Sequence, residues 1–479
     1  MTAARGTRRG FSLGSDKTRL AALALFLAAV FAMGGGARDD IASLIVLRPL
    51  AAIFAGYALI AWQPGDLAGL RVPLLFLAAL AAIIAAQLIP LPPDIWQSLP
   101  NRETIAEIGR LMGDTDAWRP ITLSPSKTAN ALASLIVPLA ALLLFAIQSD
   151  DNRRLVILLI IGCAVASAAL SFLQIATGGA EPLYFYRITN DANPVGLFAN
   201  RNHNAVFLAA SLALVVAEAA RALSRRDREP GALRMLLLAA AAILIVIVNL
   251  VNGSRAGLLL MAVVVAFAAM FLRRVIGDAS KRTPRRKTGY RDPGKWVPAA
   301  VVAGAIGLAA LFIGFSRSQS FDRAAGTAGM DDLRLQALPT LIEMAQNYLP
   351  FGAGFGSFEH VYRIHETDEM FAPAYLNNAH NDALQWIIEG GLPAFLLAIG
   401  FAAWFILRFV SRWRGAAAAS YDRRTMLCAA VFLAALALAS LVDYPLRVPS
   451  LMAVSVILVC LCAAPRTRRP STQPDNSIV

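Results

Sequence analysis

The stretch MLLLAAAAILIVIVNLVNGSRAGLLLMAVVVAFAAMFL, residues 235–272, decides the class of fold. It contains two apolar segments, each close to the length that crosses a bilayer as an α-helix. Only the short turn NGSRAG at 252–257 separates them. Two consecutive segments of this kind predict an antiparallel pair of transmembrane helices, and therefore a polytopic helical membrane protein.

The composition of the whole chain agrees with a membrane protein. Of its 479 residues, 57% are hydrophobic and 16% are charged, whereas about a quarter are charged in soluble domains. The net charge of +13 raises the question of a nucleic-acid partner. We exclude nucleic acid because the basic residues lie in short loops on alternate sides of the apolar segments. The four cysteines all lie in apolar segments and indicate neither disulfides nor a metal site.

Apolar length predicts an all-α fold with about twelve transmembrane spans. The first apolar segment follows a basic N-terminal stretch, as in a secretory signal peptide, but we interpret it as an uncleaved first membrane helix. The predicted spans are 20–33, 41–62, 72–91, 129–147, 155–177, 204–220, 235–251, 256–272, 297–315, 392–407, 426–442 and 449–462.

The distribution of Lys and Arg predicts the orientation of these spans. Most of the 44 basic residues fall on one side if both termini are cytoplasmic. The long polar loop between spans nine and ten then lies on the opposite, extracytoplasmic side. The predicted organisation is a cytoplasmic N-terminus (1–19), spans one to nine (20–315), a catalytic loop (316–391), spans ten to twelve (392–463) and a cytoplasmic tail (464–479).

The run AHNDALQWIIEGG at 379–391 contains a candidate general base. His380 stands at the N-terminal edge of a short predicted helix, beside Asn381 and Asp382. A histidine in a polar setting at the mouth of a membrane cavity can take up a proton near neutral pH. Asp382 and Glu389 are the candidate partners that would orient it.

Two arginines on the same predicted side are candidate ligands for a pyrophosphate. Arg201 lies between Asn200 and Asn202 at the outer end of the sixth span, where it is either a ligand group or an interfacial anchor. Arg255 begins the eighth span, and a helix N-terminus favours anions. The planar guanidinium binds phosphate bidentately. The alternative for Arg255 is a salt bridge to Asp443.

Three further features of the loops are less specific. Arg334 lies on the first turn of a predicted amphipathic helix at 331–348, either as a ligand or as a solvated side chain. The glycines of NYLPFGAGFGSFEHVY at 347–362 do not match a phosphate-binding spacing, so we predict a compact turn. Asp443 and Arg447 flank a proline, where they either clamp the loop or orient an arginine.

Several of these motifs, taken in order, carry a family resemblance. The motifs are GLFANRNHN (196–204), NGSRAG (252–257), LPFGAGFGSF (349–358), HNDALQWIIEGG (380–391) and SLVDYPLR (440–447). They resemble the O-antigen ligase and O-antigen polymerase family, bacterial transferases of undecaprenyl-pyrophosphate-linked glycans. An RxxxL pattern is matched by Arg255 and Leu259, and a His-Asn pattern followed by a distant Gly is matched by His380, Asn381 and Gly391. The residues after Gly391 depart mildly from the family pattern.

The resemblance implies a membrane fold of the C-type glycosyltransferase kind in the bacterial inner membrane. The implied reaction moves a glycan from undecaprenyl pyrophosphate to an acceptor hydroxyl at the periplasmic face, with inversion and without metal or other cofactor. In lipopolysaccharide or exopolysaccharide assembly, the acceptor would be a glycan or a lipid A–core. The protein would also contact membrane lipids. By the resemblance, Arg201 and Arg255 would bind the pyrophosphate, with Arg334 as a helper. His380 would take the proton, supported by Asn200, Asn202, Asn381 and Asp443.

Two alternatives remain open at the level of sequence. Within the family, the acceptor is a lipid A–core sugar, a second lipid-linked glycan or a protein serine or threonine. Outside it, a transporter or flippase of the same lipid-linked glycan would place ionisable residues near the bilayer midplane. The predicted spans are nearly free of charge, with Arg48 and Glu218 as exceptions. This pattern favours an enzyme over a transporter.

Overall fold

The structure, a computed structural model, describes residues 14–190, 193–223, 231–280, 330–368, 376–416 and 421–464. Within these ranges the chain is mostly helical. The predicted ninth span at 297–315 lies outside the described residues, as do parts of the loops on either side of it.

Helices dominate the described ranges, and one short antiparallel strand pair lies between α3 and α6. Two short 3-10 helices, Glu181–Leu183 and Pro445–Arg447, belong to connections. The elements are α1 (Asp16–Met33), α2 (Leu44–Ile60), α3 (Arg71–Ala86), β1 (Pro90–Leu91), α4 (Pro93–Gln97), α5 (Glu103–Leu111), β2 (Arg119–Pro120), α6 (Pro125–Ser134), α7 (Ile136–Ala146), α8 (Asp150–Ala176), α9 (Arg201–Leu223), α10 (Ala232–Asn252), α11 (Arg255–Ser280), α12 (Met330–Asn347), α13 (Phe358–His365), α14 (Asp382–Gly415), α15 (Tyr421–Ala439) and α16 (Pro449–Ala463).

Within the described ranges, six helical segments are long and apolar enough to cross a membrane. Helices α6 and α7 follow each other closely and together make one of these segments, Pro125–Ala146. Helices α2, α3 and α16 are apolar but shorter. The other five segments are α8, α9, α10, most of α11, and α14. The predicted fold class, a helical membrane protein, is therefore confirmed.

Helix α9 lies at the centre of the bundle and positions the site. It is buried along nearly its whole length and packs against α8, α10, α11 and α15. Ala209, Ala213 and Ala217 follow one another at four-residue spacing along one face of α9, where small side chains let a neighbouring helix approach closely. Because α9 begins at Arg201, a candidate ligand stands at the end of the central helix.

Helix α14 is divided by one non-helical residue. Asn381 caps its start by accepting a hydrogen bond from the Leu384 N–H at 3.1 Å. Gly391 has φ 61° and ψ −160°, a conformation that favours glycine. A Cβ at Gly391 would also overlap the carbonyl oxygen of Pro350. The helix is thus interrupted at this glycine, and the apolar segment continues beyond it.

The glycine-rich stretch before α13 is a compact turn, as the sequence predicts. Gly352, Gly354 and Gly356 all have positive φ, and a Cβ at each would meet neighbouring atoms within 3 Å. The Gly354 N–H donates to the Glu389 carbonyl oxygen at 2.9 Å, which fixes the turn against α14. Gln87 of the segment after α3 also bonds to this turn, accepting from the Phe355 N–H at 3.0 Å.

Candidate functional site

His380 is held by a carboxylate from a distant part of the chain. Its Nδ1 lies 3.2 Å from Oδ1 of Asp443, which follows α15, and both side chains are buried. His380 itself has φ 48°, in the left-handed region, immediately before the cap residue of α14. An ionised carboxylate only accepts hydrogen bonds, so Nδ1 carries the proton in this contact. The basic lone pair then lies on Nε2, which is the tautomer a general base requires.

A second histidine faces the same carboxylate. Nε2 of His203, on the first turn of α9, lies 3.7 Å from Oδ1 of Asp443. The ring of Tyr444 packs edge-on against both imidazoles, with centroid distances of 5.0 Å to His203 and 4.8 Å to His380. Burial alone raises the pKa of the Asp443 carboxyl, but the two imidazoles outweigh burial and hold that pKa well below its usual range.

Arg201 lies at the same end of α9, two residues before His203. Its Nη1 donates to Oδ1 of Asn193 at 2.9 Å, and the side chain is half-buried. Asn252, the last residue of α10, donates through Nδ2 to the Arg201 carbonyl oxygen at 3.1 Å. The first contact holds the guanidinium, and the second joins the start of α9 to the end of α10.

Arg255 lies at the start of the helix that packs on α9. It is exposed and is the first residue of α11. A Cβ at Gly257 would overlap Ala205, so the first turns of α9 and α11 are in close contact. The N-termini of these two helices, with Arg201 and Arg255, therefore lie at one end of the bundle. The amide groups there favour an anion.

The asparagines predicted as supporting residues shape the helix ends. Asn200 accepts a hydrogen bond from the Asn202 N–H at 2.8 Å, which starts α9. Asn381 caps α14, and its Nδ2 donates to the Leu441 carbonyl oxygen at 3.1 Å. Both contacts hold backbone next to a candidate site residue.

Arg334 lies near the start of α12, which corresponds closely to the predicted amphipathic helix at 331–348. Its side chain is outside what the structure describes, so its position relative to His380 remains a prediction.

The two other histidines of the loop have structural contacts. Nδ1 of His360 lies 3.0 Å from Oγ of Ser124. Nε2 of His365 lies 3.1 Å from Nδ2 of Asn101 and 3.0 Å from the hydroxyl of Tyr348.

The prediction that Asp382 or Glu389 orients His380 is wrong. Both carboxylates pair with Arg447 instead, whose Nε lies 3.3 Å from Asp382 and whose Nη1 lies 3.1 Å from Glu389. Because these two buried acids neutralise the half-buried Arg447, the orienting role falls to Asp443. The carboxylate of Asp443 contacts histidines, so the alternative in which it pairs with Arg255 is not the observed arrangement.

Sequence reasoning missed His203 as a partner of Asp443. The residue was visible only as one polar side chain in the run ANRNHN. Its position two residues after Arg201 on a helix was the one available signal, because α9 then turns it toward the interior. Arg447 was noticed, but its pairing with two acids of α14 depends on tertiary packing.

The assembled site combines two chemical capabilities. An imidazole aligned by a carboxylate can accept a proton from a hydroxyl group. Arginines at helix N-termini can stabilise negative charge on a leaving group. Within the described ranges, no group of three or more His, Cys, Asp or Glu side chains is arranged to hold a metal ion.

Comparison with known proteins concerns the part of the chain from α10 to α14. Residues 239–399 match the family model described as O-antigen ligase, and no curated protein matches the chain. The matched region begins within α10 and ends within α14, so it includes Arg255, Arg334, His380 and Gly391. Residues 239–399, about a third of the chain, are therefore similar to the O-antigen ligase family.

Proposed function

We propose that this protein transfers a glycan from undecaprenyl pyrophosphate to an acceptor hydroxyl group. The match of residues 239–399 to the O-antigen ligase family model and the long apolar helices support a multi-pass bacterial membrane protein with glycosyltransferase-like function in polysaccharide assembly. The observation that carries the finer proposal is the contact between His380 and Asp443. Asp443 also lies beside His203, on the first turn of α9. The pair is therefore at the same end of the bundle as Arg201 and Arg255, which begin α9 and α11.

In the proposed reaction, Nε2 of His380 accepts the proton of the acceptor hydroxyl while its oxygen attacks the anomeric carbon. The bond from that carbon to the pyrophosphate oxygen breaks, and the electron pair leaves with the pyrophosphate. Attack from the face opposite the leaving group inverts the anomeric configuration. Asp443 stabilises the imidazolium that forms on His380.

Arg201 and Arg255 are proposed to bind the pyrophosphate, with Arg334 as a third ligand. Pyrophosphate departs readily once its growing charge is neutralised, so electrostatic stabilisation supplies the larger part of the acceleration. The general base adds a smaller factor, on the order of 10²–10⁴. This assignment needs neither a metal nor another cofactor.

The proposal includes an orientation in the inner membrane. Both termini are assigned to the cytoplasm, and residues 316–391 form a periplasmic catalytic loop in a bundle of about twelve spans resembling the C-type glycosyltransferases. The excess of Lys and Arg in the loops of the opposite side supports this orientation.

Reconstitution with defined substrates tests the proposal. Purified protein in proteoliposomes would be given lipid-linked glycan with lipid A–core, a second lipid-linked glycan or a serine-containing peptide as acceptor. His380→Ala should abolish transfer while the lipid-linked glycan still binds, and His360→Ala should retain transfer. Transfer by the His380→Ala variant would refute the assignment of the base. Translocation of the glycan without transfer would favour a transporter instead.

A further inference from the structure

A cavity of about 210 Å³ lies between the N-terminal helices and the starts of α14 and α16. One wall is apolar and comes from α2, α3, α7 and α16. The residues of this wall include Leu44, Leu80, Ile84, Val137 and Met452. The other wall carries four cationic side chains, Arg38, Arg48, Lys127 and Arg447.

Arg48 differs from the other cations of this wall because it lies within an otherwise apolar helix. It lies on the second turn of the apolar helix α2, and its Nη1 donates to the amide oxygen of Asn130 at 2.6 Å. In the described part of the chain it forms a salt bridge with no carboxylate, and its buried Nε has no hydrogen-bond partner. Placing a charge in a membrane helix costs free energy, and a neutral amide does not neutralise that charge.

The other three cations of the cavity are matched by carboxylates. Lys127 lies 2.7 Å from Asp39, and Arg38 lies 2.9 Å from Asp40. Arg447 pairs with two acids of α14. Asp39 also acts on Arg48, but only at longer range, so Arg48 is the cation of the cavity without a salt bridge among the described residues. It lies beside the apolar wall. That combination fits an anionic amphiphile.

The cavity also reaches the residues around the proposed base. Asn378 and Gln385, which flank His380 in the chain, line it, and Gln385 accepts the Ala379 N–H at 2.9 Å. The loop between α1 and α2 lines it as well, and the carbonyl oxygen of Gly35 accepts the Ala199 N–H at 3.0 Å, next to the start of α9. A molecule in the cavity would thus adjoin the candidate site.

We propose that this cavity binds the phosphate of a lipid substrate, with Arg48 and Lys127 on the phosphate and the hydrocarbon chains along α2 and α3. The inference rests on the proposed function, because transfer between two lipid-anchored glycans needs two amphiphiles bound at once. The cavity then holds one amphiphile while Arg201 and Arg255 hold the other. The ligand class is a phosphorylated lipid, either the polyprenyl carrier or the acceptor glycolipid.

Lipid binding to the full chain in uncharged nanodiscs tests the inference. The probes are undecaprenyl phosphate, diphosphoryl lipid A and, as an uncharged amphiphile, diacylglycerol, with binding followed by native mass spectrometry. Arg48→Gln should weaken binding of one phosphorylated lipid about tenfold, since a charge-assisted contact is lost. The matched control Arg71→Gln, at the exposed start of α3, should leave binding unchanged.

The probe that loses affinity identifies the source of the phosphate, carrier or acceptor. Unchanged affinity for both phosphorylated lipids in Arg48→Gln would overturn the inference. An equal loss for diacylglycerol would also overturn it, because that lipid has no phosphate to bind.

A gain of affinity separates the inference from a folding defect. Asp39→Asn removes the carboxylate that pairs with Lys127, so the phosphorylated lipid should bind several-fold more tightly. Unchanged or weaker binding in this variant would contradict the role of Lys127. His380→Ala should lose transfer but retain lipid binding, whereas Arg48→Gln should weaken lipid binding. Transfer by the first variant therefore tests the proposed function, and lipid binding by the second tests the cavity.

Discussion

Nδ1 of His380 and Oδ1 of Asp443 lie 3.2 Å apart, although the two residues are separated by 63 positions in the chain. The contact joins the N-terminal end of α14 to the segment after α15. It is buried, and the ring of Tyr444 packs against the imidazole. Because the carboxylate fixes which nitrogen carries the proton, the proposed chemistry depends on this contact more directly than on any other.

Replacing the carboxylate by an amide should remove most of the activity. In Asp443→Asn the side chain keeps its size, but it no longer stabilises the imidazolium or selects the tautomer with the proton on Nδ1. The transfer rate should fall by a factor on the order of 10²–10⁴, with little change in donor binding. Initial rates and donor affinity in proteoliposomes would measure both effects.

Asp116→Asn provides the matched control for that variant. Asp116 is exposed in the connection before β2, so its replacement should change neither rate nor affinity. A wild-type rate in Asp443→Asn would show that the carboxylate does not orient the base.

The depressed pKa of Asp443 predicts how stability changes in acid. Its pKa in the folded protein lies well below the value of about 3.9 typical of an unfolded chain. The stability that its charge contributes is therefore present above that unfolded value and is lost as the pH falls through the folded pKa. Thermal unfolding in detergent should show wild type more stable than Asp443→Asn at pH 5, with the difference shrinking below about pH 4. No difference between the two proteins at pH 5 would contradict the shift.

Removing Arg447 should destabilise the fold. Asp382 and Glu389 would remain buried without their cation, and breaking a buried ion pair from one side costs about 3–5 kcal/mol. We expect Arg447→Ala to unfold at a clearly lower temperature in detergent. Arg363→Ala, which removes an exposed pair with Glu359, should cost about 1 kcal/mol or less. Equal losses of stability in the two variants would show that the ion pairs of Arg447 contribute no more than an exposed ion pair.

Gly391 should not tolerate a side chain. Gly391→Ala places a Cβ against the Pro350 carbonyl oxygen at a positive φ, and we expect a loss of more than about 1 kcal/mol in stability. Gly400→Ala lies in the same helix with no neighbouring atom within 4 Å of the new Cβ, so it should be neutral or stabilising. Thermal unfolding of the pair measures the contrast, and equal stability of both variants would contradict the packing at Gly391.

Much of the fold was predictable from the sequence because apolar length and glycine positions are local signals. The two spans of the 235–272 stretch appear as α10 and α11, and the break at Gly391 follows from a residue type suited to positive φ. The prediction of one uninterrupted span at 129–147 missed the break between α6 and α7 at Leu135. Pro138 marks this break in the sequence, because it has no N–H to donate to the carbonyl oxygen of Ser134.

The sequence predicts which residues are candidates for the site, but it does not predict which of them contact each other. His380, Arg201 and Arg255 stand at helix termini that the sequence marks, and the structure places both arginines at one end of the bundle. Which carboxylate approaches His380 depends on how α14 packs beside the end of α15. Asp382 and Glu389 were closer in sequence, but Arg447 engages both, and only the tertiary arrangement reveals it.

The segment from Asp443 to Arg447 makes two unrelated contacts at a fixed separation, one with His380 and one with the acids of α14. A proline and one turn of 3-10 helix set that separation. Surface connections usually accept inserted or deleted residues, but here a change of one residue in length would move one contact out of reach whenever the other was kept. This connection is therefore a place where the protein accepts changes of side chain more readily than changes of length.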